Sequence, residues 1–326
     1  MHGLYLLWWV QEKQIPPATV AAILAAGDLA LLCLELPTGW FADRVGHRAS
    51  LIAGSAVQVV GMIWCWLGEG VPGLVTATVL VALGDAFRSG ADAALVYRTC
   101  HALNREDEFQ AIEARANAVE LGALVALVLA GGFIVTTWGF AAGWIAETAS
   151  CGAGLLIALA MIEPPPAAEP QGTGGPARGP SIAIAMVVLP TGLLVAIASA
   201  ASFLAQTGGM RDAEALTWLV AMFTLAEAAG SMTAGCVPRM GAGGLATLCL
   251  LGAGCFGVSM LFASATVPMV LVLAFLTGFA EPLRASAIQR MAADTARARA
   301  ASLANACDMV FMLIALPLSA RLWGRR

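Results

Sequence analysis

Asp85, Arg88 and Asp92 stand at i, i+3 and i+7 within residues 72–98, a stretch that is otherwise almost entirely apolar. On one continuous helix that spacing puts all three on one face, where a single guanidinium can bridge two carboxylates. Glu281 and Arg284 repeat the acid-x-x-arginine spacing 196 residues further on, with Pro282 between them to remove a backbone hydrogen bond and permit a bend. Charges in apolar surroundings are costly unless they pair or face water. The two groups therefore read either as binding and proton-exchanging residues lining a polar path, or as structural ion pairs that join helices. Asp28 and Glu35, seven residues apart, form a further one-face pair. Glu120, Glu147, Glu227 and Asp308 are isolated acids in apolar runs, open between the same chemistry, a hydrogen bond to a neighbouring helix, and interfacial exposure.

The composition says what must hold these groups. Of 326 residues, 60% are apolar and only 12% charged, with a mean hydropathy of +0.82. A soluble domain carries about 25% charged residues. That much apolar surface places the chain in a lipid bilayer and excludes soluble enzymes and disordered tails. Seventeen basic against 21 acidic residues, a net charge of -4, offer no polybasic patch to nucleic acid. The eight cysteines are scattered without a C-x-x-C and read as small buried hydrophobes. His2, His47 and His101 lie outside the apolar runs, so no metal site is expected. Nor do we find a nucleophile with a nearby base, an H-E-x-x-H or a phosphate-binding loop, so neither catalysis nor a cofactor is expected. The N-terminus lacks a basic n-region and is not read as a signal peptide.

A spanning helix needs about 20 apolar residues. Spans are predicted at 18–38, 49–68, 72–98, 111–136, 139–162, 181–206, 213–235, 245–263, 267–288 and 299–320, with residues 3–10 as the second half of a partial first helix. Arginine placement orients them. Arg44, Arg48, Arg98, Arg105, Arg115, Arg178, Arg239, Arg290, Arg297 and Arg299 fall on the side of the 39–48 turn, which is thereby cytoplasmic; Lys13 and Arg211 fall on the other. Arg321, Arg325 and Arg326 dissent and hint at a missing last helix. Residues 163–180, rich in Pro and Gly, read as a cytoplasmic linker between a bundle at 1–162 and a second at 181–326. The bundles echo each other: Gly39 maps to Gly235, and Arg44-Val45-Gly46 to Arg239-Met240-Gly241.

Residues 35–48 read Glu-Leu-Pro-Thr-Gly-Trp-Phe-Ala-Asp-Arg-Val-Gly-His-Arg. This resembles the G-x-x-x-D-R-x-G-x-R signature between helices two and three of the major facilitator superfamily, with the E-[LI]-P-T-G lead-in of one bacterial branch. Ser89-Gly90-Ala91 through Tyr97 is similar to the end of helix four in that branch, with Arg98 where the branch has Asp. The resemblance implies an all-α polytopic fold of two pseudo-symmetric helical bundles, here with about ten complete spans. It implies a monomeric secondary transporter that moves a small solute across the bilayer by alternating access, coupled to protons, with efflux favoured over uptake. It gives Gly39, Asp43, Arg44, Gly46 and Arg48, with Glu35 beside them, the role of a conformational latch. Asp85, Arg88, Asp92, Glu281, Arg284 and Asp28 are the candidates for substrate or proton contact. The alternative expectation is a truncated, non-transporting remnant or membrane scaffold. The G-x-x-x-G-P-x-x-G-G pattern of the family's antiporters is not found at Gly122, Gly131 and Gly132.

Overall fold

The computed structural model of the chain describes residues 8–165, 182–209, 213–262, 265–292 and 296–323. After a π-helical turn at Trp8–Glu12 come α1 (Pro17–Val45), α2 (His47–Leu67), α3 (Gly70–Arg88), α4 (Ala91–Ala102) and α5 (Phe109–Ala160). Then follow α6 (Ile182–Gly209), α7 (Ala213–Ala234), α8 (Ala242–Leu261), α9 (Thr266–Met291) and α10 (Arg297–Trp323). Among the described residues, eight helical stretches are long and apolar enough to cross a membrane, which makes this a multi-pass membrane protein. One of them, Glu106–Ala160, runs for 55 residues. A single crossing takes about 20. Gly139, at φ 81 and ψ 173, breaks that stretch at the point where the sequence divides 111–136 from 139–162.

Two local expectations change. The stretch 72–98 is not one helix: the chain leaves helical geometry after Arg88 and restarts at Ala91, with Gly90 at φ 72. The i, i+7 register between Asp85 and Asp92 is lost with it. Conversely, the 39–48 segment is helical through Val45, and α2 begins at His47. Only Gly46, at φ 120, makes the turn, a conformation that L side chains avoid.

The chain forms two compact units. The first holds Met1–Ala102, Ala126–Ala168 and Asp294–Leu303; the second holds Leu103–Val125, Glu169–Ala293 and Ala304–Arg326. Residues 103–125 and 294–303 thus belong with the opposite half of the sequence. Residues 166–180 of the expected linker, residues 3–7 of the partial first helix, and Arg178, Arg211, Arg325 and Arg326 lie outside the described residues.

In the first unit α3 packs against α2 and α1. Small residues set the distance: a Cβ on Gly54 would come within 2.7 Å of the Gly84 carbonyl oxygen, and one on Gly84 within 3.0 Å of that of Gly54. At the far end of these helices Trp8 lies against Phe140 and Trp144 at 5.4 and 6.1 Å, and Lys13 pairs with Glu69 at 2.7 Å. In the second unit α9 is the hub, touching α6, α7 and α8. Its crossing with α7 is backbone on backbone. A Cβ on Gly230 would fall on the Phe275 carbonyl, and one on Gly278 on the carbonyl of Glu227.

Candidate functional site

The Gly46 turn gathers most of the signature residues, all within the first unit. Asp43, with its side chain 2% exposed, accepts the backbone N–H groups of Ala298 (3.0 Å) and Arg299 (3.3 Å) and the Arg299 side chain (2.9 Å). It therefore caps the first turn of α10, with a negative charge at the positive end of that helix. Gly39 lets α10 come close: its Cβ would lie 2.9 Å from Ser302 Oγ and 3.2 Å from the Arg299 Cα. Gly90 does the same from the other side, 2.8 Å from the Ala301 Cβ and 3.0 Å from the Ala298 carbonyl oxygen. Arg297 sits over the Tyr97 ring at 4.6 Å. Glu35 is buried within hydrogen-bond reach of the Ser89 and Ser302 hydroxyls. Arg44 faces outward, stacked over Trp40 at 4.1 Å.

The start of α2 is capped by a residue that spacing gave no reason to single out. Glu163 accepts the N–H of His47 (3.1 Å) and of Arg48 (2.5 Å) and pairs with Arg98 at 3.0 Å. Arg48 Nη2 donates to the Leu159 carbonyl at 2.8 Å. A Cβ on Gly46 would lie 3.5 Å from the Glu163 carboxylate, so this glycine serves both the turn and the approach of the cap. Arg98, read in sequence as a charge reversal, thus has an acid partner contributed from beyond the end of α5.

The two acid-x-x-arginine pairs are built differently. In the first unit Arg88 Nη1 donates to Gln58 Oε1 at 2.5 Å, and Gln58 Nε2 donates to Asp85 Oδ1 at 3.0 Å. The amide stands between the charges, which are 3.9 Å apart, and both side chains are nearly half exposed. Asp92, expected on the same face, instead lies in the first turn of α4 and accepts the Ala93 N–H at 2.7 Å. In the second unit Arg284, 6% exposed, donates to Glu281 at 2.8 Å and also to Asp308. Asp308, isolated in sequence, is therefore the third member of a triad around a buried guanidinium, with Glu281 still 38% exposed. Asp28 is exposed along α1. Among the described residues no group of three His, Cys, Asp or Glu could hold a metal ion.

No protein-family model matches the sequence. No curated protein sequence matches it either. The fold does have solved counterparts: it is the fold of the major facilitator superfamily transporters. The human organic anion transporter MFSD10 (TETRAN) superposes with a TM-score of 0.70 at 12% identity, over 97% of this chain and 83% of that one. The proton:xylose symporter XylE bound to 6-bromo-6-deoxy-D-glucose gives 0.68 at 13% identity, over 95% and 82%. The E. coli fucose:proton symporter FucP gives 0.64 at 13% identity, over 97% and 88%.

Glu163, Gln58, Arg299 and Ser302 are the contact residues that the sequence did not single out. Only Arg299 carried a usable signal, as a basic residue at the start of a predicted span; the others need the tertiary fold.

Proposed function

We propose that the protein is a secondary transporter of the major facilitator type, of the branch with the E-L-P-T-G lead-in, moving a small solute across the inner membrane by alternating access. Dividing Glu106–Ala160 at Gly139, counting 70–102 as one crossing and adding α7 gives ten crossings, in bundles at 1–162 and 181–326 joined by a cytoplasmic linker at 163–180. The observation that carries the reading is the Asp85–Gln58–Arg88 cluster: charged, half exposed and set in a membrane-spanning helix, on a fold shared with solved transporters. Polar groups at such depth face a substrate or ion path by default. Arg88 supplies the donors for a solute carboxylate or hydroxyl, and Asp85 is the acid for proton exchange. The Glu281–Arg284–Asp308 triad is a second candidate for coupling. Asp43, Gly39, Gly46, Arg44, Arg48 and Glu35 form the latch that steadies one conformation. The protein works as a monomer.

The test is uptake or release in proteoliposomes under an imposed pH gradient. The first solutes to try are sugars and organic anions, the classes named for other proteins of this fold. Accumulation that follows the gradient and is lost in Arg88→Gln supports the reading. A solute that accumulates equally with and without the gradient removes the proton coupling, and accumulation unchanged in Arg88→Gln removes the site.

A further inference from the structure

The second unit contains a cavity of about 240 Å³ among the start of α6, the end of α9 and the turn before α8. Two arginines line it, Arg239 from the turn and Arg290 from the last turn of α9, together with Ser286, whose hydroxyl accepts a hydrogen bond from Arg290. Among the described lining residues there is no carboxylate. Arg239 also holds Asp107, but that carboxylate is almost fully exposed, and an exposed pair of this kind is readily exchanged. Gly241 and Ala242, where α8 begins, complete the polar side, so the positive end of a 20-residue helix adds to the two guanidiniums. The remaining wall is apolar, formed in part by Met186, Leu283 and Met291.

This combination suits an amphiphile better than a soluble anion. Met186 belongs to an exposed apolar stripe on α6, with Ile182, Leu189 and Leu193 at helical spacing, so the apolar wall continues straight out of the cavity along a membrane helix. The arginines lie at the end of the bundle where the arginine bias puts the cytoplasmic leaflet, the level at which phosphodiester headgroups sit. We propose that this cavity binds the headgroup phosphate of an anionic phospholipid, with Arg239 and Arg290 on the phosphate and an acyl chain along the α6 stripe. The proposal rests on the multi-pass reading and not on transport, so its failure leaves the proposed function standing.

The experiment is native mass spectrometry of the full chain released from detergent, titrated with phosphatidylglycerol or phosphatidylcholine. The protein should retain phosphatidylglycerol in preference to phosphatidylcholine. Arg239→Gln with Arg290→Gln should weaken that retention roughly tenfold, the loss expected for charge-assisted hydrogen bonds. Ala287→Trp, which fills the cavity without changing its charge, should weaken it as well and guards against misfolding of the double variant. Equal retention of the two lipids overturns the proposal, as does unchanged phosphatidylglycerol retention in a folded variant. Displacement of the lipid by millimolar inorganic phosphate would also overturn it, assigning the cavity to a free anion.

Discussion

The Asp85–Arg88 and Glu281–Arg284 pairs share a spacing but not a fate. On α3 the guanidinium stands 3.9 Å from its acid with one amide bonded to each, and both side chains are nearly half exposed. On α9 the guanidinium is buried and closed off by two carboxylates. An arginine sealed in this way is part of the framework. Losing one of its partners leaves part of a buried guanidinium without an acceptor although Glu281 or Asp308 still balances its charge, whereas an arginine bridged through an amide can change partners at little cost. Under the proposed function the open pair is the one suited to solute contact, and the buried arginine adds cohesion to the second unit besides being a candidate for coupling.

The largest effect should come from the sealed side. Asp308→Ala should destabilise the protein by about 2–3 kcal/mol, the cost of a buried charge-assisted hydrogen bond, read as a fall in the denaturation midpoint in detergent. A loss below about 1 kcal/mol would erase the distinction between the two pairs. Gly90→Ala comes next: it forces an L residue into φ 72 and pushes a methyl toward Ala301, for about 1–2 kcal/mol by the same measurement. Asp43 is an intermediate case, a buried acid whose arginine partner is partly exposed. Asp43→Ala should cost about 1 kcal/mol and speed hydrogen exchange at the Ala298 and Arg299 amides, since those N–H groups lose their acceptor. Protection unchanged at both amides would mean that the cap contributes nothing. The smallest change in stability belongs to Arg88→Gln, within about 0.5 kcal/mol, while the same variant abolishes solute movement. A large loss of stability there would make the open pair structural and reverse the assignment.

Much of the fold is legible in the sequence because a bilayer imposes a simple rule. Apolar runs of spanning length must be helices, and Gly46 and Gly139 mark their breaks through a backbone that other residues disfavour. What the sequence hides is who meets whom. The bend at Gly90 is invisible to periodicity, because Ala91 through Cys100 continue a plausible helical pattern; the demand for a positive φ comes from the approach of α10. Arg98 looks unmatched when only its neighbours in the chain are considered, and its acid lies 65 residues away at the mouth of a Pro-rich segment. Gln58 carries no charge and so does not stand out in a search for ionisable groups, yet it hydrogen-bonds to both Asp85 and Arg88. Asp308 is the reverse case, conspicuous as a lone acid and yet paired across 24 residues.

The crossing at Gly230 and Gly278 has a mechanical meaning. With carbonyl groups standing where side chains would otherwise cushion the contact, α7 and α9 have almost no freedom to slide or roll against each other and behave as one girder. Glu281 and Arg284 are mounted on that girder within two turns of the crossing, whereas Asp308 reaches them from α10. The Arg284–Asp308 pair is thus the tie by which α10 is fastened to that beam.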